Sequence, residues 1–273
     1  MNEYFFMYSL AFVAILFAVI QDIRTREIAN WTTFSLLAFV IAYRAFYSIY
    51  TDDVLFFVFG IGGILLFMIL GYSLYYSKVF AGGDAKLLFG LGGIFQYSSL
   101  IDYVYYGFGF LFVLFSLGVV YTLIYSLFLA GRNYSSFKKS FFVNFSKVKY
   151  YFVASLIVSF LAYFWLFNLT NSFTYLFFAL FVAILPLLFA YVKAVESSCM
   201  IKLVSPKDLT EGDWLEKNVY VGKHTILKNF QGLSFEEILL LRRSGKKVWI
   251  KNGVPFAPAF LLALIFFMSI VPP

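Results

Sequence analysis

Two aspartates stand in settings where carboxylates can do chemistry. Asp22 lies in Ile20-Gln21-Asp22-Ile23-Arg24, at the end of one apolar run, and Asp84 lies in Ala81-Gly82-Gly83-Asp84-Ala85-Lys86, at the start of another. A carboxylate at the edge of a long apolar segment is costly unless it is hydrated or paired, which makes each a functional candidate. Two carboxyls held side by side cannot both ionise easily, so one keeps its proton at a pH where a free Asp has lost it. The ionised partner can then activate water as a general base, while the protonated one polarises a peptide carbonyl. Such chemistry calls for no cofactor and no metal. Gly82 and Gly83 allow backbone to approach closely and admit an extended strand beside Asp84. Each Asp also has a structural reading. Asp22 can mark the water interface beside Arg24 or Arg26, and Asp84 can cap the helix that follows it.

The elements that must position this pair are membrane helices. Of the 273 residues, 62% are hydrophobic and 13% charged, against about 45–50% and about 25% in soluble domains. Lipid is the solvent that suits such a chain, and its 38 Phe and 21 Tyr suit helices facing acyl chains and interfaces. A spanning helix takes about 20 apolar residues. Eight runs qualify, roughly 4–21, 31–50, 54–76, 84–100, 103–130, 150–169, 173–194 and 255–271. The fourth is short and glycine-rich, with Gly90, Gly92 and Gly93 placed for close packing. No cleavage site for small residues follows the first run, so it is expected to stay as the first span. With the N-terminus outside, every one of the 21 Lys and Arg except Arg44 falls on the inner side, which fixes the orientation. The charge of +7 then reads as an orientation signal and not as a nucleic-acid surface. Asp22 and Asp84 reach the same cytosolic face from different helices.

The expected architecture is an all-α polytopic membrane protein of about eight transmembrane helices with a small cytosolic α+β insertion. Its parts are a catalytic transmembrane core at 1–130, a basic cytosolic loop with two further helices at 131–195, a cytosolic domain at 196–253 and a last helix at 254–273. Within 196–253, Ser205-Pro206-Lys207-Asp208 reads as a turn and Asn218 to Leu227 as a hairpin. Ser234-Phe235-Glu236-Glu237 is a capping box, Gly245 ends the helix it starts, and Lys247 to Ile250 reads as a strand. The single cysteine, Cys199, leaves no multi-cysteine zinc site to build, and the single histidine, His224, argues against a histidine-based metal site or a Ser-His triad. Gly-Gly-Asp-Ala-Lys lacks the spacing of a phosphate loop.

Asp22-Ile-Arg-Thr-Arg-Glu-Ile28-Ala29-Asn30, with Ile six and Asn eight residues after the Asp, resembles the first catalytic segment of the prepilin peptidase family. Ala81 to Lys86 resembles that family's Gly-x-Gly-Asp segment with its trailing Lys, and the archaeal prepilin and preflagellin peptidases are the nearest branch. The likeness spans residues 1–130 and extends weakly to Pro255-Phe256-Ala257-Pro258. Ala81 stands where the family has its first glycine, and Ala29 where bacterial relatives have proline. The resemblance implies an aspartyl endopeptidase with Asp22 and Asp84 catalytic, and with Gly82, Gly83, Lys86, Glu27 and Asn30 supporting or binding substrate. Lys86 is expected either to orient Asp84 or to anchor the inner interface, and Glu27 to pair with an arginine. Partners would be prepilin-like or prearchaellin precursors bearing a short basic leader, together with the bilayer. The alternative is a transporter using Asp22 and Asp84 for ions, which would call for internal repeats and carboxylates deep in the spans. No repeat is evident, and both aspartates sit near span ends.

Overall fold

The structure, a computed structural model, describes residues 3–222, 224–229 and 232–270. Met1 and Asn2 at one end, and the last residue of the run expected at 255–271, lie outside them. Seven helices come first: α1 Glu3–Thr25, α2 Asn30–Thr51, α3 Val54–Tyr76, α4 Gly82–Gly92, α5 Leu100–Arg132, α6 Tyr134–Thr170 and α7 Thr174–Cys199. A mixed region follows, with β1 Ile201–Val204, β2 Trp214–Leu215, β3 Val219–Val221, β4 His224–Ile226, α8 Phe235–Ser244 and β5 Val248–Lys251. The last helix is α9, Ala257–Ile270.

Six of these helices, α1, α2, α3, α5, α6 and α7, are long and apolar enough to cross a membrane. Of the eight expected spans, the fourth and the last correspond among the described residues to the shorter apolar helices α4 and α9. With 11 residues, α4 rises only about 16 Å, against a hydrocarbon layer of about 30 Å, and the 14 described residues of α9 about 21 Å. The fourth run fails as a span because its helix stops at Gly92, where the carbonyls turn to side chains from other elements. A second correction concerns the basic loop expected from 131. The break between α5 and α6 is Asn133 alone, and the lysines up to Lys149 lie on the first turns of α6. That helix has 37 residues, about 55 Å, so an apolar span and a polar extension share one continuous helix.

The chain divides into two units, 1–124 with 254–273, and 125–253. In the first, α4 is packed among its neighbours so closely that Leu87, Leu88 and Leu91 are fully buried. Its glycines make this possible. A Cβ on Gly92 would fall 2.5 Å from the Gly63 carbonyl oxygen on α3, and one on Gly93 would fall 2.6 Å from Val40 on α2. The rest of the core is aromatic and aliphatic, with Phe67, Phe95, Phe110 and Phe260 fully buried.

In the second unit α6 and α7 pack along each other, and Ala130, Val195 and Cys199 form a small cluster with Phe137 and Tyr191. The mixed region has a three-stranded antiparallel sheet in the order β1-β5-β2 and a separate β3-β4 hairpin. Leu215, Ile226, Ile238, Leu241, Val248 and Ile250 make its core. The turn at 205–208, the hairpin, the Ser234–Glu237 capping box, the stop at Gly245 (φ 64°) and the strand after it all stand where the sequence puts them. Lys251 pairs with Glu196, and the Asn252 N–H donates to the Met200 carbonyl, which ties the sheet to the end of α7.

Candidate active site

Asp22 sits in the last turn of α1 and Asp84 in the first turn of α4. Both are buried, at 7% and 8% exposure. The connection between α1 and α2 is what brings the two sequence motifs together. Arg26 turns the chain with a positive φ of 63°, its N–H donating to the Asp22 carbonyl. Gln21 then fastens the turn, its Oε1 accepting the Ala29 N–H at 3.0 Å and its Nε2 donating to Thr32 Oγ1 at 2.9 Å. Held in this way, Ile28 lies against Gly83, where an added Cβ would come within 2.9 Å of the Ile28 Cβ. Two residues on, Asn30 Oδ1 accepts a hydrogen bond from Lys86 Nζ at 2.7 Å. The spacing of Ile and Asn after Asp22 thus has a geometric meaning, since these two residues dock on the Gly and the Lys that flank Asp84.

Gly83, Lys86 and Asn30 form the seam between the two motifs. Lys86 is not turned to Asp84: its ammonium is on Asn30 and 5.8 Å from the centre of the Phe34 ring, and among the described residues no ion pair joins it to Asp84. Gly82 has room beside it, the nearest atom to an added Cβ being Tyr75 at 3.7 Å. Glu27 is exposed at the turn.

The electrostatics follow from this packing. Burial, and next the Asp22 carboxylate, push Asp84 up to about 7, while a hydrogen bond from the Ala81 backbone works against them. A pair in which one carboxyl keeps its proton while the other is ionised can deprotonate water and protonate a carbonyl oxygen in one encounter. Among the described residues no group of three or more His, Cys, Asp or Glu side chains comes together.

Three features escape a reading of the sequence. One is Gln21, for which its place beside Asp22 is the only signal. A second is the Ala257 N–H at the start of α9, which donates to Asp22 Oδ2 at 2.8 Å across 235 residues of sequence. The third is Arg44, fully buried in α2. Its Nε donates to the Gly93 carbonyl at 2.6 Å, Nη1 to Phe56 at 2.7 Å and Nη2 to Phe95 at 2.6 Å, and its guanidinium lies 4.6 Å from the centre of the Phe56 ring. Gly60 leaves the space that its side chain fills. The signal was present as the one basic residue that breaks the one-sided charge pattern. It is not an interfacial charge but the cap of the carbonyl end of α4, opposite the end that carries Asp84.

A model of the type IV leader peptidase family matches residues 9–132. Similar curated proteins include the preflagellin peptidases of Methanocaldococcus jannaschii, 32% identical over 82 residues, and of Methanococcus maripaludis, 32% identical over 87. These stretches cover 30% and 32% of this chain and 35% and 37% of the relatives. The preflagellin peptidase of Methanococcus voltae is 26% identical over 140 residues, 47% of this chain and 58% of that protein. The chain thus spans little more than a third of the length of the first two. No solved structure gives a significant match.

Proposed function

We propose that this chain, a member of the type IV leader peptidase family through its residues 9–132, is a membrane aspartic endopeptidase in which Asp22 and Asp84 are the catalytic pair. The observation that carries the reading is the docking of the two motifs, Ile28 on Gly83 and Asn30 on Lys86, which sets two buried carboxyls in each other's field. In the reaction the water oxygen adds to the scissile carbonyl carbon. The ionised Asp takes the water proton, and the protonated Asp gives its own to the carbonyl oxygen. When the tetrahedral intermediate collapses, the C–N bond breaks and the first Asp returns its proton to the leaving nitrogen. A hydroxyl proton of the intermediate goes back to the second Asp, so the pair ends as it began.

The substrates are prepilin-like or prearchaellin precursors, cut between a short basic leader and an apolar helix at the cytosolic face of the cell membrane. The family of residues 9–132 and the names of the relatives support this class. The one-sided Lys and Arg pattern supports the orientation. Glu27, exposed in the turn after α1, is the residue proposed to meet a leader lysine. Purified protein in lipid vesicles with a panel of such precursors tests the proposal by the mass of the products. A single cut between leader and apolar helix is expected. Failure to cut any of them, in protein shown to be folded, would overturn the substrate class. Glu27→Gln should raise KM more for a precursor with a leader Lys than for one with Gln in its place. Equal effects would remove Glu27 from recognition.

A further inference from the structure

The two aspartates are held differently, and the difference points to separate roles. Asp22 Oδ2 accepts the Ala257 N–H, the first of α9. The opening N–H groups of a helix have no partner within it and carry the positive end of the helix dipole. A hydrogen bond to the charged form of a carboxyl favours that form. The charged groups facing Asp22 are Arg26, at the end of its own helix, and Asp84 on α4. On α2 the single charged side chain is Arg44, bound at the far end of α4, and α9 has none. Asp84 also sits in the first turn of a helix and has a backbone hydrogen bond, from Ala81; the repulsion between the two carboxyls is mutual, and Asp22 has the cation Arg26 facing it where Asp84 has none among the described residues.

We propose that the start of α9 decides which member of the pair carries the charge: the Ala257 N–H holds Asp22 as the carboxylate that takes the proton from water, and Asp84 is the acid that protonates the peptide carbonyl. Ala257 is then a positioning residue that acts through its backbone. It makes α9 part of the catalytic apparatus although that helix lies outside the residues that match the family. The assignment rests on the peptidase reading for its chemistry, but the charge state can be measured without it.

Proline is tolerated in the first turn of a helix and has no N–H, so Ala257→Pro removes this donor, while Ala257→Gly keeps it. The pH dependence of kcat/KM is measured for the protein and both variants, with a precursor that the unaltered protein cuts. In Ala257→Pro the low-pH limb is expected to move up by about one pH unit, the size of one lost hydrogen bond to a carboxylate. In Ala257→Gly it should stay in place. A limb that stays in place, or moves down, in Ala257→Pro would overturn the proposal. Should the proline variant fail to fold, or no precursor be cut, carbon-13 NMR of aspartate-labelled protein decides. Resonances are assigned with Asp22→Asn and Asp84→Asn. The lower apparent titration should belong to Asp22, and the reverse order overturns the assignment whether or not the protein proves to be a peptidase.

Discussion

At the scale of single residues, the account stands on two carboxyls and the side chains that dock them. Asp22→Asn and Asp84→Asn are each expected to lower turnover by about 10²–10⁴-fold, and the double variant should be little worse, because the pair acts as a unit. Near-normal cleavage by either single variant would remove the pair. The two glycines beside Asp84 make a sharper contrast. An added methyl meets Ile28 at 2.9 Å at Gly83 and only Tyr75 at 3.7 Å at Gly82. Overpacking of this kind costs about 1–3 kcal/mol, roughly 5- to 150-fold in rate if it falls on Asp84. Gly83→Ala should therefore lose activity that Gly82→Ala keeps, and Ile28→Ala should restore part of it in the double variant. The absence of rescue would dissociate Ile28 from the site. Asp84 pushed up to about 7 gives a pH dependence with a definite sign. Asp84 keeps its proton below that value and loses it above, so kcat should fall as pH rises through about 7. Asp22 and Asp84 stood out in the sequence as carboxylates at the edges of apolar runs, and Ile28 and Asn30 through the resemblance of the segment after Asp22. Gln21 did not, since a glutamine at a helix end has no pattern of its own.

At the scale of elements, the short helix α4 is the piece on which the site depends. Its N-terminal end carries Asp84 and its C-terminal end is capped by Arg44 through the Gly93 and Phe95 carbonyls. Replacing Arg44 by Met leaves the buried Gly93 and Phe95 carbonyls unpaired, at about 1–3 kcal/mol each, and takes a second donor from the Phe56 carbonyl. A loss of about 3 kcal/mol or more should appear as earlier thermal unfolding in detergent, and Arg44→Lys, with one nitrogen for three acceptors, should recover only part. Unchanged stability in Arg44→Met would show that the cap is not what ends α4. The glycines at 90, 92 and 93 announced a tightly packed helix, and the structure bears this out. Its length was not legible, because hydropathy continues past Gly92 while the reason for stopping, a guanidinium from α2, is distant in sequence. The same limit hid the α5–α6 turn. Ser, Lys and Asn at 134–149 read as a loop, yet a helix tolerates them on exposed faces when Phe137 and its neighbours hold it in a cluster.

At the scale of the molecule, a membrane chain with a small mixed region was readable from composition and from the polar stretch 196–253, where capping box, hairpin and stop glycine are all local signals. Among the described residues six helices are long and apolar enough to cross a membrane, and hydropathy alone does not distinguish such a helix from α4, which is enclosed by other helices. Orientation remains the proposal of the charge pattern. In cells whose Cys199 has been replaced, Ser136→Cys should resist an impermeant reagent applied from outside, and labelling there would invert the topology and move the site to the other face. The central claim is that two docked motifs make one catalytic pair that cuts precursor leaders. Its most direct test is to incubate the purified protein in vesicles with a precursor and weigh the products, beside Asp22→Asn and Asp84→Asn shown to be equally folded. One cut between leader and apolar helix is expected, and it should disappear in both variants. The same cut persisting in either would contradict the central claim.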